Sequence, residues 1–89
     1  MGDIGEEKYI KLSEIYEGEK GSIGKIGSSA VSRRLCELGF VRGATVEKLG
    51  SSPLGDPSAF LVNGSAVALR REDSDEIYIK MRKGAKKWD

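Results

Sequence analysis

The sequence predicts a mainly β fold: a small, partly open β-barrel of about five strands with one short α-helix inserted at about residues 30–38. Three observations predict it. Two apolar runs, Ser58–Val62 and Ser65–Leu69, flank an Asn63-Gly64 pair. Ile77, Ile79 and Met81 alternate with Tyr78 and Lys80. Val31, Leu35 and Leu38 recur at helical spacing just ahead of Gly39. Closing short strands into a barrel also limits exposed edges, which a chain of 89 residues has little means to cover otherwise.

The elements follow in order. Residues 1–8 are polar and glycine-bearing and are read as a flexible segment. Residues 9–81 form a single domain, and residues 82–89 a basic tail ending in Trp88-Asp89. Tyr9-Ile10-Lys11-Leu12 opens the ordered part, and Leu12-Ser13-Glu14-Ile15 reads as a single turn. Glu17-Gly18-Glu19-Lys20-Gly21 is a turn leading into a strand, Ser22-Ile23-Gly24-Lys25-Ile26, whose Gly24 suggests a bulge. Ser28 or Ser29 caps the helix. On a helical wheel Val31, Leu35 and Leu38 share a narrow arc, with Arg33, Cys36 and Glu37 pointing away. Gly39 supplies the left-handed residue that ends a helix, and Gly43 permits a second turn into a strand near residues 45–49.

Both prolines fall within residues 50–57, which is therefore a loop. Asn63-Gly64 favours the type I′ turn that matches strand twist. In that register Phe60 faces Val67, and Val62 and Leu69 share their side of the hairpin. Ala59, Leu61, Ala66 and Ala68 occupy the other side. Both faces are apolar, so a cover for the second is expected: the helix, or a partner protein. Arg70-Arg71-Glu72-Asp73-Ser74-Asp75 reads as a charged turn before the last strand.

Composition narrows function. Fifteen Lys plus Arg against fourteen Asp plus Glu leave a net charge of +1, which argues against nucleic-acid binding. Neither a spanning segment nor a secretion signal is visible, and a cytoplasmic location is expected. Histidine is absent and cysteine occurs once, so a zinc site and a base-activated Cys36 nucleophile both lack their partners. The carboxylates of residues 72–76 lack the glycine and terminal glutamate of a calcium loop and are read as a solvated turn. Gly18, Gly21, Gly24 and Gly27 imitate a phosphate loop, but Ile26 stands where Ser or Thr is needed and Glu19 where the first glycine is needed. Asn63-Gly64-Ser65 is explained by the hairpin rather than by glycosylation. No catalytic, cofactor-binding or metal residue is assigned.

Arg34-Leu35-Cys36-Glu37-Leu38-Gly39-Phe40-Val41-Arg42-Gly43-Ala44-Thr45-Val46, then Gly55-Asp56-Pro57, Val62-Asn63-Gly64 and Val67-Ala68-Leu69-Arg70, resembles the FeoA family. The resemblance covers roughly residues 12–79. It implies an SH3-like barrel with an inserted helix. It also implies a non-enzymatic cytosolic accessory of ferrous iron uptake, docking on and modulating a FeoB-type transporter that carries a cytosolic GTPase domain. Membrane contact would then be indirect, through the transporter. Arg42 stands where many members have proline, and Cys36 where an aliphatic residue is common; both alter the helix-exit surface.

The surface expected to meet a partner comprises Arg33, Arg34, Cys36, Glu37, Phe40, Arg42, Leu61, Ala66 and Ala68. Two readings of the arginines stand side by side: pairing with Glu37 and nearby carboxylates, or a charged rim around an apolar docking patch. The competing function is a generic SH3-like module that binds peptide or RNA. Tyr9, Tyr16, Phe40, Phe60, Tyr78 and Trp88 form no tight aromatic cluster for proline-rich peptides. The basic tail favours RNA or acidic lipid, and the charge balance opposes nucleic acid. Carboxylates alone hold ferrous iron poorly, so direct iron binding is the weaker idea. An open strand edge leaves room for a weak homodimer.

Overall fold

The computed structural model describes residues 8–81. Its strands are β1 (Lys8–Lys11), β2 (Lys20–Ile26), β3 (Thr45–Ser51), β4 (Ser58–Val62), β5 (Ser65–Leu69) and β6 (Ile77–Met81), with helices α1 (Ala30–Glu37) and α2 (Arg71–Ser74). They form one six-stranded sheet in the order β1-β6-β2-β3-β4-β5, with antiparallel neighbours throughout. The sheet curls around a core without pairing its first and last strands. Expectations for residues 1–7 and for the tail with Trp88 fall outside the described residues.

The strand beyond the expected five is β1, which pairs Ile10 with Ile79 and Tyr9 with Lys80. Four residues are too few to display a period, so only the neighbour β6 reveals it. β2 starts at Lys20, inside the stretch read as a turn. Its register slips between Ile23 and Lys25, which is the bulge expected at Gly24. That position also admits a close approach: a Cβ on Gly24 would lie 2.3 Å from Cε1 of Tyr9. Leu12–Glu14 forms the expected single turn, a 3-10 turn that buries Leu12.

Alternation places Phe60 and Val62 of β4, and Ile77 and Ile79 of β6, inward. They meet Leu12, Ile15, Ile23, Leu35, Phe40, Val46 and Leu69 in one cluster. The hairpin register is as the turn dictates: Phe60 opposite Val67, and Leu61 opposite Ala66.

Ser29 caps α1 by accepting the Ser32 N–H at 3.2 Å. At the other end, Phe40 N–H donates to the Leu35 carbonyl at 3.1 Å and Gly39 N–H to the Cys36 carbonyl at 3.0 Å. These are the paired bonds of a Schellman ending, with Gly39 at φ 110°. The arrangement corrects two expectations. Leu38 is not on the buried arc but 48% exposed, because the last helical residue is Glu37 and the chain turns at Leu38. Phe40 is fully buried, because the left-handed turn swings it back beneath the helix toward Leu35.

The acidic stretch is also more than a solvated turn. Ser74 is buried and its hydroxyl bonds the Arg71 carbonyl at 3.1 Å. The Ser13 hydroxyl donates to the Asp75 carboxylate. Glu76 Oε1 accepts from Ser29 Oγ at 3.1 Å and Ser32 Oγ at 3.0 Å, so this stretch anchors the start of α1.

Candidate docking surface

The surface is built around two turns that touch. The Schellman ending of α1 requires glycine at residue 39, and the type I′ hairpin turn requires Asn63 to adopt φ 54°. The tertiary fold stacks one on the other, with Asn63 against Gly39. Val46 pairs with Val62, so the loop leaving α1 returns into the sheet at the same end. Leu38, Val41 and Arg42 are therefore presented beside the hairpin tip, all three exposed.

Of the nine residues expected to meet a partner, Arg33, Arg34, Glu37 and Arg42 are exposed on α1 and its exit turn, and Cys36 is half-buried there. Among the described residues the guanidinium groups of Arg33, Arg34 and Arg42 make no ion pair. The pairing of these arginines with Glu37 and nearby carboxylates is therefore not realised among the described residues. Ala66 and Ala68 are exposed and Leu61 is half-buried on the outer face of the β4–β5 hairpin. Phe40 is withdrawn from the set, since a core side chain with no exposed area meets no partner.

Nor does the helix cover that outer face. Its buried residues, Leu35 and Ser32, point into the core on the opposite side of the sheet, and Ala66 and Ala68 stay open. Next to them lies an open groove of ≈ 360 Å³ floored by Gly50, Ala59 and Ala68 and flanked by Leu49. Small side chains at paired positions make this floor: Gly50 faces Ala59, which faces Ala68.

Sequence reasoning missed Leu38 and Val41, 48% and 42% exposed, which flank the buried Phe40. The signal was present in Gly39. Once it is the left-handed residue ending the helix, the next residue packs inward and the flanking ones face solvent. Leu54, 92% exposed at the tip of the β3–β4 loop, gave no periodic signal.

Chemically, the surface offers apolar contact and cationic donors. Among the described residues no three His, Cys, Asp or Glu side chains converge on a point where a metal ion could sit. No buried side-chain polar atom among them is left without a partner. No helix among them is long and apolar enough to cross a membrane.

Comparison with known proteins places this geometry. A family model described as the FeoA domain matches residues 10–81. The chain is 33% identical over 73 residues to an Fe(2+) transport protein A/Fe(2+) transporter FeoB fusion protein of Porphyromonas gingivalis, spanning 81% of this chain and 9% of the fusion. This chain thus corresponds to about a tenth of that relative's length. Among solved structures, it superposes on the FeoA protein of Chlorobium tepidum with a TM-score of 0.73 and 36% identity, over 82% of this chain and 71% of that one. It superposes on zinc-complexed FeoA of Stenotrophomonas maltophilia with a TM-score of 0.72 and 26% identity, over 84% and 99% of the two chains. That protein is described as an SH3 domain protein, and the open six-stranded barrel seen here is the same SH3-like fold.

Proposed function

Since the chain belongs to the FeoA family, we propose that it is a non-enzymatic accessory of ferrous iron uptake that docks on a FeoB-type transporter and modulates it. The fused relative carries this reading. A domain made continuous with a transporter has no need to find its partner by diffusion, and its surface contacts then act at high effective concentration. The Stenotrophomonas protein, described as a candidate activating factor of ferrous iron transport, supports the same assignment.

The contact is assigned to the helix-exit surface. Leu38 and Val41 supply apolar area, and the exposed Arg33, Arg34 and Arg42, which make no ion pair among the described residues, supply cations on the same helix and its exit turn. Arginines suit this place because a planar guanidinium bonds a carboxylate through two parallel N–H groups. An acidic patch on the transporter's cytosolic GTPase domain is the complementary surface. Such a contact needs no group of perturbed acidity and no bound cofactor. It works by holding one state of the partner more tightly than another.

Titrating the isotope-labelled chain with the soluble GTPase domain tests this reading. Shift changes are expected at residues 38–42 and at the hairpin tip, together with a changed rate of GTP hydrolysis. An unperturbed spectrum up to about 1 mM partner would exclude an affinity stronger than roughly 4 kcal/mol and refute the proposal.

A further inference from the structure

We propose that β5 is a self-pairing edge: a second copy of this chain lays its own β5 antiparallel to the first, about a two-fold axis passing beside Val67. The inference does not depend on the transporter reading.

The hairpin geometry settles which backbone groups face outward. A two-residue loop makes the pair that closes it, Val62 and Ser65, a hydrogen-bonded pair, and such pairs alternate along an antiparallel ladder. Phe60 with Val67 and Ser58 with Leu69 are then also bonded pairs. Ser65, Val67 and Leu69 direct their N–H and C=O groups to β4. Ala66 and Ala68 direct theirs the other way, off the end of the sheet, where β5 is the last strand. Among the described residues nothing bonds to those four groups.

A second β5 satisfies all of them at once. With Val67 opposite Val67 of the second copy, Ala66 faces Ala68 and Ala68 faces Ala66, and each such pair exchanges two bonds. A register centred on Ala66 places Ala68 against the turn at Gly64. One centred on Ala68 places Ala66 against Arg70, beyond the strand. Only the register centred on Val67 is symmetric and uses both alanines, as an isologous contact demands.

The side chains permit the approach. β5 carries no charge, no proline and no bulge, which are the usual guards against edge pairing. No charged residue occurs from Ser58 to Leu69. The opposite edge differs: β1 begins and ends in lysine, Lys8 and Lys11. Across the two-fold, Val67 meets Val67 at a non-bonded position, where β-branched side chains pack well. The small outer-face residues Ala66 and Ala68 of both copies then join their grooves into one platform.

Sedimentation equilibrium from about 10 μM to about 1 mM, with amide exchange read by NMR at both ends, tests the proposal. The chain should dimerise weakly, with the Ala66 and Ala68 amides protected only at high concentration. Ala68→Pro removes two of the four bonds at a position where an edge strand tolerates proline, and should weaken association by about tenfold or more. Val67→Cys in a Cys36→Ser chain should oxidise to a cross-linked dimer, since Cα atoms at non-bonded pairs lie about 4.5 Å apart, within disulfide reach. A chain that stays monomeric at about 1 mM overturns the proposal. So does association unchanged by Ala68→Pro, or association without cross-linking at residue 67. Protection of both amides in the dilute chain would show the edge covered by the chain itself. Protection appearing only on adding the GTPase domain would assign the edge to the transporter. Either result rules out self-pairing.

Discussion

Gly39 and Asn63 are in direct contact: a Cβ on Gly39 would stand 2.5 Å from Asn63 Nδ2. One residue ends the helix and the other turns the hairpin, so their contact locks two separate left-handed turns together. The helix-exit surface owes its position to this pair. Its orientation relative to the sheet is set by backbone geometry at two points, not by the exposed side chains that would meet a partner.

Gly39→Ala is expected to destabilise the fold by about 1–3 kcal/mol, part from the φ of 110° and part from the clash. Asn63→Gly keeps the turn and removes the clashing amide. In that background the cost of Gly39→Ala should fall to about 1 kcal/mol, the backbone share alone. Urea denaturation of the four chains measures the coupling. Strictly additive costs would contradict the contact.

Glu76→Ala should cost about 1–2 kcal/mol, because Ser32 Oγ is buried and loses its charged acceptor. The loss falls on the first turn of α1, so the amides of Ser32 and Arg33 should exchange faster than the strand amides. Glu76→Gln keeps an acceptor oxygen and should cost less. Uniformly faster exchange throughout the chain would place the role of Glu76 elsewhere.

Phe40→Ala and Leu38→Ala separate core from surface within three residues. Phe40 has no exposed area, and its truncation should cost about 3–5 kcal/mol, a large share of the stability of so small a domain. Leu38→Ala should change stability by less than about 0.5 kcal/mol. Thermal melts give both values. Comparable losses would mean that Leu38 belongs to the core.

Charge reversal at the helix exit addresses binding without disturbing the fold. Arg42→Glu and Arg34→Glu should each alter stability by no more than about 0.5 kcal/mol. Each should weaken GTPase-domain binding about fivefold or more at low salt, with the difference shrinking as salt rises. Leu54→Ser, at the exposed tip of the β3–β4 loop, should leave that affinity unchanged. Equal losses at Leu54 and Arg42 would move the contact to the other end of the sheet.

Much of this architecture could be read from local pattern. Asn63-Gly64 set the register of β4 and β5, because a two-residue turn admits one pairing. Ser29 and Gly39 bounded the helix, one through a hydroxyl that accepts the Ser32 N–H and the other through the left-handed φ open to a residue without Cβ. Ile77 and Ile79 faced inward because strand side chains alternate. The short strand Lys8–Lys11 was not legible, since its partner β6 lies about 70 residues along the chain. On the candidate surface the structure leaves the expected arginines, Ala66 and Ala68 exposed. Phe40 was misplaced and Leu38 and Val41 were overlooked, because a helical wheel continues past the residue where the real chain turns.

Short-range rules therefore sufficed for turns, caps and strand register, each decided by a few neighbouring dihedral angles. Which faces stay open was settled by assembly alone. The helix turns only Ser32 and Leu35 toward the core and leaves Ala66 and Ala68 bare, and β5 ends the sheet with its outward amides unmet among the described residues. Burial is a property of what lies across space from a side chain, and that distance is invisible along the chain until the sheet has closed around its core.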